Sequence, residues 1–305
     1  MKKFKILITT SSFNNLLLEN SYFSNYEIIY NTTGKKLTEN SLSRLIDENV
    51  VAMIAGTEPI TENIFKLAKG LKFIVRCGIG IDNIDLAAAN KYNIEIYNTP
   101  DAPTNAVAEL TLGLILSSLR SINISDKNIR NSLWKPIMGN LLSNKTIGII
   151  GYGRIGQKLA YFLKPFNCKI FFHDPFVKLD DNFNISINEL LKKSDIVTLH
   201  IPYSSDNHHL INCENIKLLK SSSFIINVSR GGLIDEDSLY KALFNKTIAG
   251  AALDCFEIEP YNGPLKNLDN VILTSHMGSY AKESRLEQES DSVNILYEKL
   301  KNYNF

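Results

Sequence analysis

The chain has 305 residues, which predicts two domains, each long enough to bury a core of its own. Its 33 basic and 32 acidic residues leave a formal charge of +1, which excludes an overall field for holding nucleic acid or an anionic membrane, and 44% hydrophobic residues fit a globular chain. Cys77, Cys168, Cys213 and Cys255 are far apart with no C-x-x-C pair, so reduced thiols, no metal site and a cytoplasmic location are expected.

The first residues, "MKKFKILITTSSF", carry the lysines of a signal peptide, but their apolar stretch is only Ile6 to Ile8, so they read as a first strand. "FKILITT", "EIIY", "VVAMIAG", "KFIVR" and "IEIYN" are predicted strands with helical patterns between most of them, the alternation of a parallel sheet covered by helices. "NTPDAPT" breaks the last of these strands at Pro100 and Pro103, and a long helix is predicted over Ala106 to Leu119. That segment carries Glu109 and is too short to span a membrane.

A second series of strands follows: "KTIGIIG", "KIFFHD", "DIVTLHIP", "SFIINVS", "TIAGAALD" and "NVILTSH". The chain therefore restarts a doubly wound sheet in its middle. Ala281 to Leu300 is predicted as a closing amphipathic helix whose apolar face holds Leu286, Val293, Ile295, Leu296 and Leu300.

"GIIGYGRIG" places Gly151, Gly153 and Gly156 behind the sixth strand and at the start of a helix. Such glycines suit a pyrophosphate: the first permits the turn, the second lets backbone approach the ligand, and the third lets helix pack on strand. A tight turn that merely needs glycine is the alternative. The next strand ends in Asp174, 18 residues beyond Gly156, where a carboxylate binds ribose hydroxyls and repels a 2′-phosphate, favouring NAD over NADP. The bland alternative for Asp174 is a strand-end turn residue before Pro175.

Hydride transfer to a 2-keto acid needs a cation for the substrate carboxylate and carbonyl, and a proton donor such as a histidine beside a carboxylate. Three predicted strand ends supply these groups: Arg230 in "NVSRGGLIDE", Glu259 in "DCFEIEP" and His276 in "TSHMGS". Taken singly, Arg230 suits a turn cap, Glu259 a solvated acid and His276 a buried hydrogen-bonded ring; all three in one set favour catalysis. His208 and His209 lie in the polar "SSDNHHL" and read as surface residues, while His173 and His200 sit at strand ends, and Trp134 reads as core or subunit contact.

These motifs, with "CGIGIDNIDLAAANKYNIEIYNTPDAPTNAVAELTLGLIL" and "LWKPIMGNLLSNKTIGIIGYGRIGQ", resemble the D-2-hydroxyacid dehydrogenase family, which includes phosphoglycerate dehydrogenases and hydroxypyruvate and glyoxylate reductases. The resemblance implies an α/β fold of two doubly wound parallel-sheet domains. One is a Rossmann NAD-binding domain over residues 101–281. The other is a flavodoxin-like substrate domain over residues 1–100 and 282–305, completed by the last helix. It implies that Arg230 binds the substrate, that His276 is the acid/base paired with Glu259, and that the Gly78, Ile79 and Gly80 backbone receives the substrate carboxylate. It further implies cofactor contacts from Gly151, Gly153, Arg154, Ile155, Gly156, Asp174, Ile201, Pro202, Val228, Ser229, Arg230, Asp254, His276 and Gly278, with Asp254 at the nicotinamide carboxamide. A homodimer through the helices between Ala106 and Trp134 is implied likewise.

The pattern departs from the family in two places. Phosphoglycerate dehydrogenases usually carry an Arg-Ser pair where this chain has Ala55 and Gly56, followed by Thr57 and Glu58, which should weaken phosphate binding unless Arg76 or a partner's lysine compensates. Ser275 stands where proline commonly precedes the histidine; with Phe305 as its last residue, the chain is expected to lack the regulatory domain of many such enzymes. The expected activity is hydride exchange between NAD(H) and a small (R)-2-hydroxy acid or 2-keto acid. Phosphoglycerate dehydrogenase proper and an NAD(H)-sensing corepressor are the alternatives. A phosphite-oxidising relative stays open too, whereas Glu259 speaks against a formate enzyme, which tends to carry glutamine there.

Overall fold

The computed structural model describes residues 3–19, 21–177 and 183–303; the expected outer domain limits, residues 1 and 305, lie outside them. The chain divides into two compact units, Met1–Pro103 with Ser279–Phe305, and Thr104–Gly278. The expected boundaries, 100/101 and 281/282, fall within three residues of these.

In the first unit, β1 (Lys5–Ile8), β2 (Glu27–Tyr30), β3 (Val50–Ala55), β4 (Phe73–Arg76) and β5 (Glu95–Asn98) form one parallel sheet in the order β2-β1-β3-β4-β5. That is the flavodoxin order. The unbroken apolar run of β3 is buried along its whole length, as befits a strand covered on both faces. Its helices are α1 (Glu39–Ser43), α2 (Glu62–Leu67) and α3 (Leu86–Lys91); Thr38 and Asp85 start α1 and α3 by accepting backbone N–H bonds from Ser41 and Ala88.

The second unit opens with α4 (Pro103–Arg120) and α5 (Ile122–Arg130), which meet at Ser121, whose φ of +50° breaks the helix. Its parallel sheet contains β6 (Thr146–Ile150), β7 (Lys169–His173), β8 (Ile196–Leu199), β9 (Phe224–Asn227), β10 (Gly250–Leu253) and β11 (Val271–Leu273), ordered β11-β10-β9-β8-β6-β7. Ile147 and Ile149 of β6 pack into the core layer under α4, with Leu114, Ile115 and Leu119, while Ile150 joins the opposite layer. Between the strands run α6 (Arg154–Leu163), α7 (Ile187–Lys193), α8 (Cys213–Ile216) and α9 (Glu236–Phe244). The order reverses between β6 and β8, so the crevice beyond their carboxyl ends is the binding position such a sheet offers.

The last helix, α10 (Lys282–Leu300), packs Val293, Leu296 and Leu300 into the core of the first unit. Leu286, expected on that face, is 50% exposed. Polar side chains are buried instead, because they satisfy one another: Ser284 Oγ donates to Ala102 O, Gln288 Nε2 to Ser284 Oγ, and Ser292 Oγ to Gln288 O. Trp134 is 88% exposed, which removes the core alternative and leaves the subunit contact. Residues 133–141 form neither helix nor strand, so their apolar side chains have no packed face to join. Among the described residues no single helix is long and apolar enough to cross a membrane.

Candidate active site

The glycine loop connects β6 to α6. Gly151 adopts φ +93°, and a Cβ there would lie 2.5 Å from the His200 carbonyl oxygen, so only glycine fits between the ends of β6 and β8. A Cβ on Gly156 would stand 2.3 Å from the Gly151 oxygen, so it too is held by packing. Gly153 differs: it caps α6 with an ordinary extended backbone, and a Cβ would meet nothing within 4 Å. Glycine at that position answers no need of the fold, and the open space before a helix N-terminus fits a pyrophosphate.

At the end of β7, Asp174 Oδ2 accepts the Tyr152 N–H at 2.8 Å, and Oδ1 accepts the Phe176 N–H at 2.9 Å. Its carboxylate is thereby fixed beside the glycine loop, and it serves as a turn residue at the same time. Arg154 is exposed and Ile155 half-buried on the first turn of α6. Ile201 and Pro202 follow β8, across from Gly151, whose Cβ would lie 2.6 Å from Ile201 Cγ2. Val228 is buried after β9, and Ser229 Oγ donates to Leu199 O at 2.7 Å, tying the ends of β9 and β8. His200 pairs Nε2 with Thr198 Oγ1 at 2.9 Å; Nδ1 is sealed from solvent, and burial pushes the imidazole pKa down to about 3.

The candidate catalytic residues lie beyond the ends of β9, β10 and β11. His276 has φ +52°, and its Nδ1 lies 2.9 and 3.0 Å from the two Glu259 carboxylate oxygens. Glu259 Oε1 also accepts the Phe256 N–H at 3.1 Å. Arg230 is brought alongside by Gly231, whose Cβ would stand 1.8 Å from the Phe256 carbonyl carbon; backbone touches backbone there. The Arg230 Nη1 donates to Ser229 O at 2.7 Å. Burial raises the Cys255 thiol pKa well above the usual value, the Asp254 and Glu259 charges raise it further, and the Arg230 charge opposes them. The structure therefore pairs His276 with Glu259 and packs the Arg230–Gly231 backbone against the loop that bears Glu259.

Asp254 has no exposed surface; its Oδ1 accepts from Thr274 Oγ1 at 2.6 Å and from Met277 N at 2.9 Å, and its Oδ2 accepts from Gly278 N at 2.8 Å. Expected at the nicotinamide, it holds the loop that bears His276. Asn227 does the same for Arg230: buried at the end of β9, it accepts from Ser229 N and donates to the Arg230 carbonyl. Asn227 and Thr274 escape the sequence reading, where a polar residue ending an apolar strand is their only signal.

In the first unit, Gly78 has φ +134° and its N–H donates to Thr99 Oγ1 at 2.7 Å. Of the Gly78–Gly80 stretch, Ile79 is 36% exposed and Gly80 half-buried. Glu58 is 1% exposed, accepting from the Thr9 hydroxyl and from Gly56 N. Its carboxylate is turned into the fold, and the loop lacks a guanidinium at residues 55 and 56. His208 and His209 stack with ring centroids 3.7 Å apart. Among the described residues no group of three or more His, Cys, Asp or Glu is placed to hold a metal ion.

Comparison with known proteins agrees with this layout. Residues 112–278 match the model of the D-isomer specific 2-hydroxyacid dehydrogenase NAD binding domain. The chain is 40% identical over 256 residues to D-3-phosphoglycerate dehydrogenase of Methanocaldococcus jannaschii, covering 81% of this chain but only 49% of that protein, so it spans about half of that relative's length. It is 34% identical over 277 residues to hydroxypyruvate reductase of Thermotoga maritima, covering 88% of this chain and 90% of that one. The fold superposes with a TM-score of 0.86 on D-lactate dehydrogenase from Aquifex aeolicus solved with NAD and lactic acid, at 25% identity, covering 98% of this chain and 96% of that one. The chain belongs to the D-isomer-specific 2-hydroxyacid dehydrogenase family of NAD-linked oxidoreductases.

Proposed function

We propose that this protein exchanges a hydride between NAD(H) and C2 of a small, unphosphorylated 2-keto or (R)-2-hydroxy acid of the glyoxylate or hydroxypyruvate class. The observation that carries the reading is the His276–Glu259 pair, set beside Arg230 at three adjacent strand ends. The NAD(H), when bound, supplies the two-electron exchange with C2. Gly153 leaves room for its phosphates, Arg154 and Ile155 flank them on the first turn of α6, and Asp174 offers its carboxylate to the ribose.

Glu259 accepts the Nδ1 proton of His276, which fixes the tautomer and orientation of the ring and leaves Nε2 to carry the proton given to the developing alkoxide. Arg230 holds the substrate carboxylate and draws electron density from the carbonyl. In the oxidative direction His276 takes the hydroxyl proton. The absence of a guanidinium at Ala55 and Gly56 supports a substrate without a phosphate. A homodimer is supported by Ile122, Ile129, Leu133, Trp134, Met138 and Leu141, apolar side chains that are all more than half exposed between α4 and β6. A cytoplasmic setting suits the free cysteines.

The test is an NADH-oxidation assay with glyoxylate, hydroxypyruvate and phosphohydroxypyruvate. His276→Ala and Arg230→Ala should each lower kcat/KM by about 10²-fold or more while NADH still binds. Near-normal turnover by His276→Ala refutes the acid/base assignment, and a preference for phosphohydroxypyruvate refutes the substrate class.

A further inference from the structure

The segment carrying Glu259 is weakly anchored by packing: residues 257–260 are all exposed, and Ile258 is 78% exposed. Carboxylates also crowd it. Burial raises the Glu236 pKa, the hydrogen bond from the Glu257 N–H opposes this, and the charges of Glu257, Asp237 and Glu259 raise it further, so like charges gather where the segment meets α9. Something must hold the segment against α9.

A line of rings supplies that hold. The Tyr203 hydroxyl lies 3.1 Å from His208 Nδ1, the His208 ring stacks on His209, and His209 Nε2 lies 2.9 Å from Glu257 Oε1. Glu257 is bound to the start of α9 as well: its N–H donates to Glu236 Oε1 at 2.7 Å, and its Oε1 accepts from Glu236 N at 3.3 Å. His209 itself is set firmly, with φ +52°, its N–H donating to Gly232 O at 2.8 Å and its carbonyl accepting from Asn212 Nδ2. A left-handed backbone at a non-glycine residue costs on the order of 1 kcal/mol and persists only where its surroundings fix it. The Tyr203 ring lies against Gly232, where a Cβ would come within 2.7 Å of it. The ends of β8, β9 and β10 thus share one polar bracket.

We propose that His209 is a positioning residue for the acid/base pair: by hydrogen-bonding Glu257 it fixes the 256–259 segment and, through it, the Glu259 carboxylate that orients His276. The inference rests on the acid/base reading of His276 given above. It departs from the surface role that the polar setting of "SSDNHHL" suggests.

The test compares His209→Ala, His209→Gln and Glu257→Ala in the full-length chain, by steady-state NADH oxidation with glyoxylate and by NADH fluorescence titration. In His209→Ala, kcat falls about tenfold, because a sub-ångström drift of Glu259 misdirects the ring, while NADH affinity stays within about twofold of wild type. In His209→Gln the amide nitrogen takes the place of Nε2 and restores most of kcat. Glu257→Ala reproduces the His209→Ala loss, and the double variant is no slower than either. Wild-type kcat in His209→Ala, or equal slowing by Ala and Gln, overturns the proposal; if His209→Ala does not fold, wild-type kcat in Glu257→Ala does so. His276→Ala, assayed alongside, separates the two readings. If it is inactive while His209→Ala is fast, only the bracket fails, whereas a His276→Ala enzyme that still turns over overturns both.

Discussion

Gly153→Ala separates a cofactor cradle from a turn that merely needs glycine. The backbone there has φ −74° and ψ −160°, open to any residue, and an added Cβ meets no atom within 4 Å. Two small terms then act on the fold. Alanine restricts the unfolded chain, stabilising by about 0.4–1 kcal/mol, and it is a poorer helix cap than glycine by a similar amount. They nearly cancel, so the melting temperature should stay within about 3 °C of wild type. The methyl group nevertheless occupies the space in front of the α6 N-terminus, where a pyrophosphate must approach the backbone. NADH affinity should fall about tenfold or more, equivalent to at least about 1.4 kcal/mol. Fluorescence titration of NADH, paired with a thermal melt, reads both quantities on one sample. Unchanged NADH affinity refutes the cradle, and a collapse of the melting temperature refutes the claim that the fold does not need glycine there. Gly156→Ala is the counter-case: its Cβ would lie 2.3 Å from a backbone oxygen, so stability falls by about 1–3 kcal/mol along with affinity.

Three further outcomes are expected. Gly231→Ala must push the Phe256 backbone from 1.8 Å to ordinary contact, a shift of more than 1 Å between Arg230 and Glu259, so kcat should drop on the order of 10²-fold; normal kcat in a folded variant would contradict the close approach. Glu58→Ala removes a buried acceptor from the Gly56 N–H and the Thr9 hydroxyl and should cost about 2–3 kcal/mol in urea unfolding, whereas an exposed carboxylate would cost almost nothing. His200 is neutral in the fold down to about pH 3, while the unfolded chain takes up its proton near pH 6.5. The unfolded state therefore binds more protons in that window, and stability is lost as pH falls from about 6.5 toward 3. His200→Gln should flatten this acid loss between pH 7 and pH 4, and an unchanged slope in urea titrations would show that burial of the ring is not its cause.

The strands were legible because a parallel sheet with both faces covered demands unbroken apolar runs, and "VVAMIA" and "TIGII" are such runs. Gly151, Asp174, Arg230, Glu259 and His276 were legible for a related reason: in this architecture chemistry gathers at the carboxyl ends of strands, and each follows an apolar run there. Leu286 was misread because hydrophobic type reports burial only where a packed face exists to receive the side chain. The polar stripe of α10 was invisible, since Ser284, Gln288 and Ser292 satisfy one another only once the helix and Ala102 are in place. The burial of Glu58 was invisible for the same reason, as its partner Thr9 is 49 residues away in sequence.

What the sequence concealed most completely is the layer behind the reactive side chains. Arg230, Glu259 and His276 stand on three separate loops, and polar ties hold each loop: Asn227 grips the Arg230 carbonyl, Asp254 gathers Met277 and Gly278, and Glu257 joins the 256–259 segment to Glu236 and His209. Loops of this kind are stabilised by polar contacts rather than apolar burial, so their geometry depends on satisfied hydrogen bonds that carry no periodicity. A reaction that needs a carboxylate, an imidazole and a guanidinium within bonding reach at one time is then sensitive to any one of those ties. For that reason substitutions at Asn227 and Asp254, which are fully buried, should impair turnover as strongly as many changes in the reactive set itself.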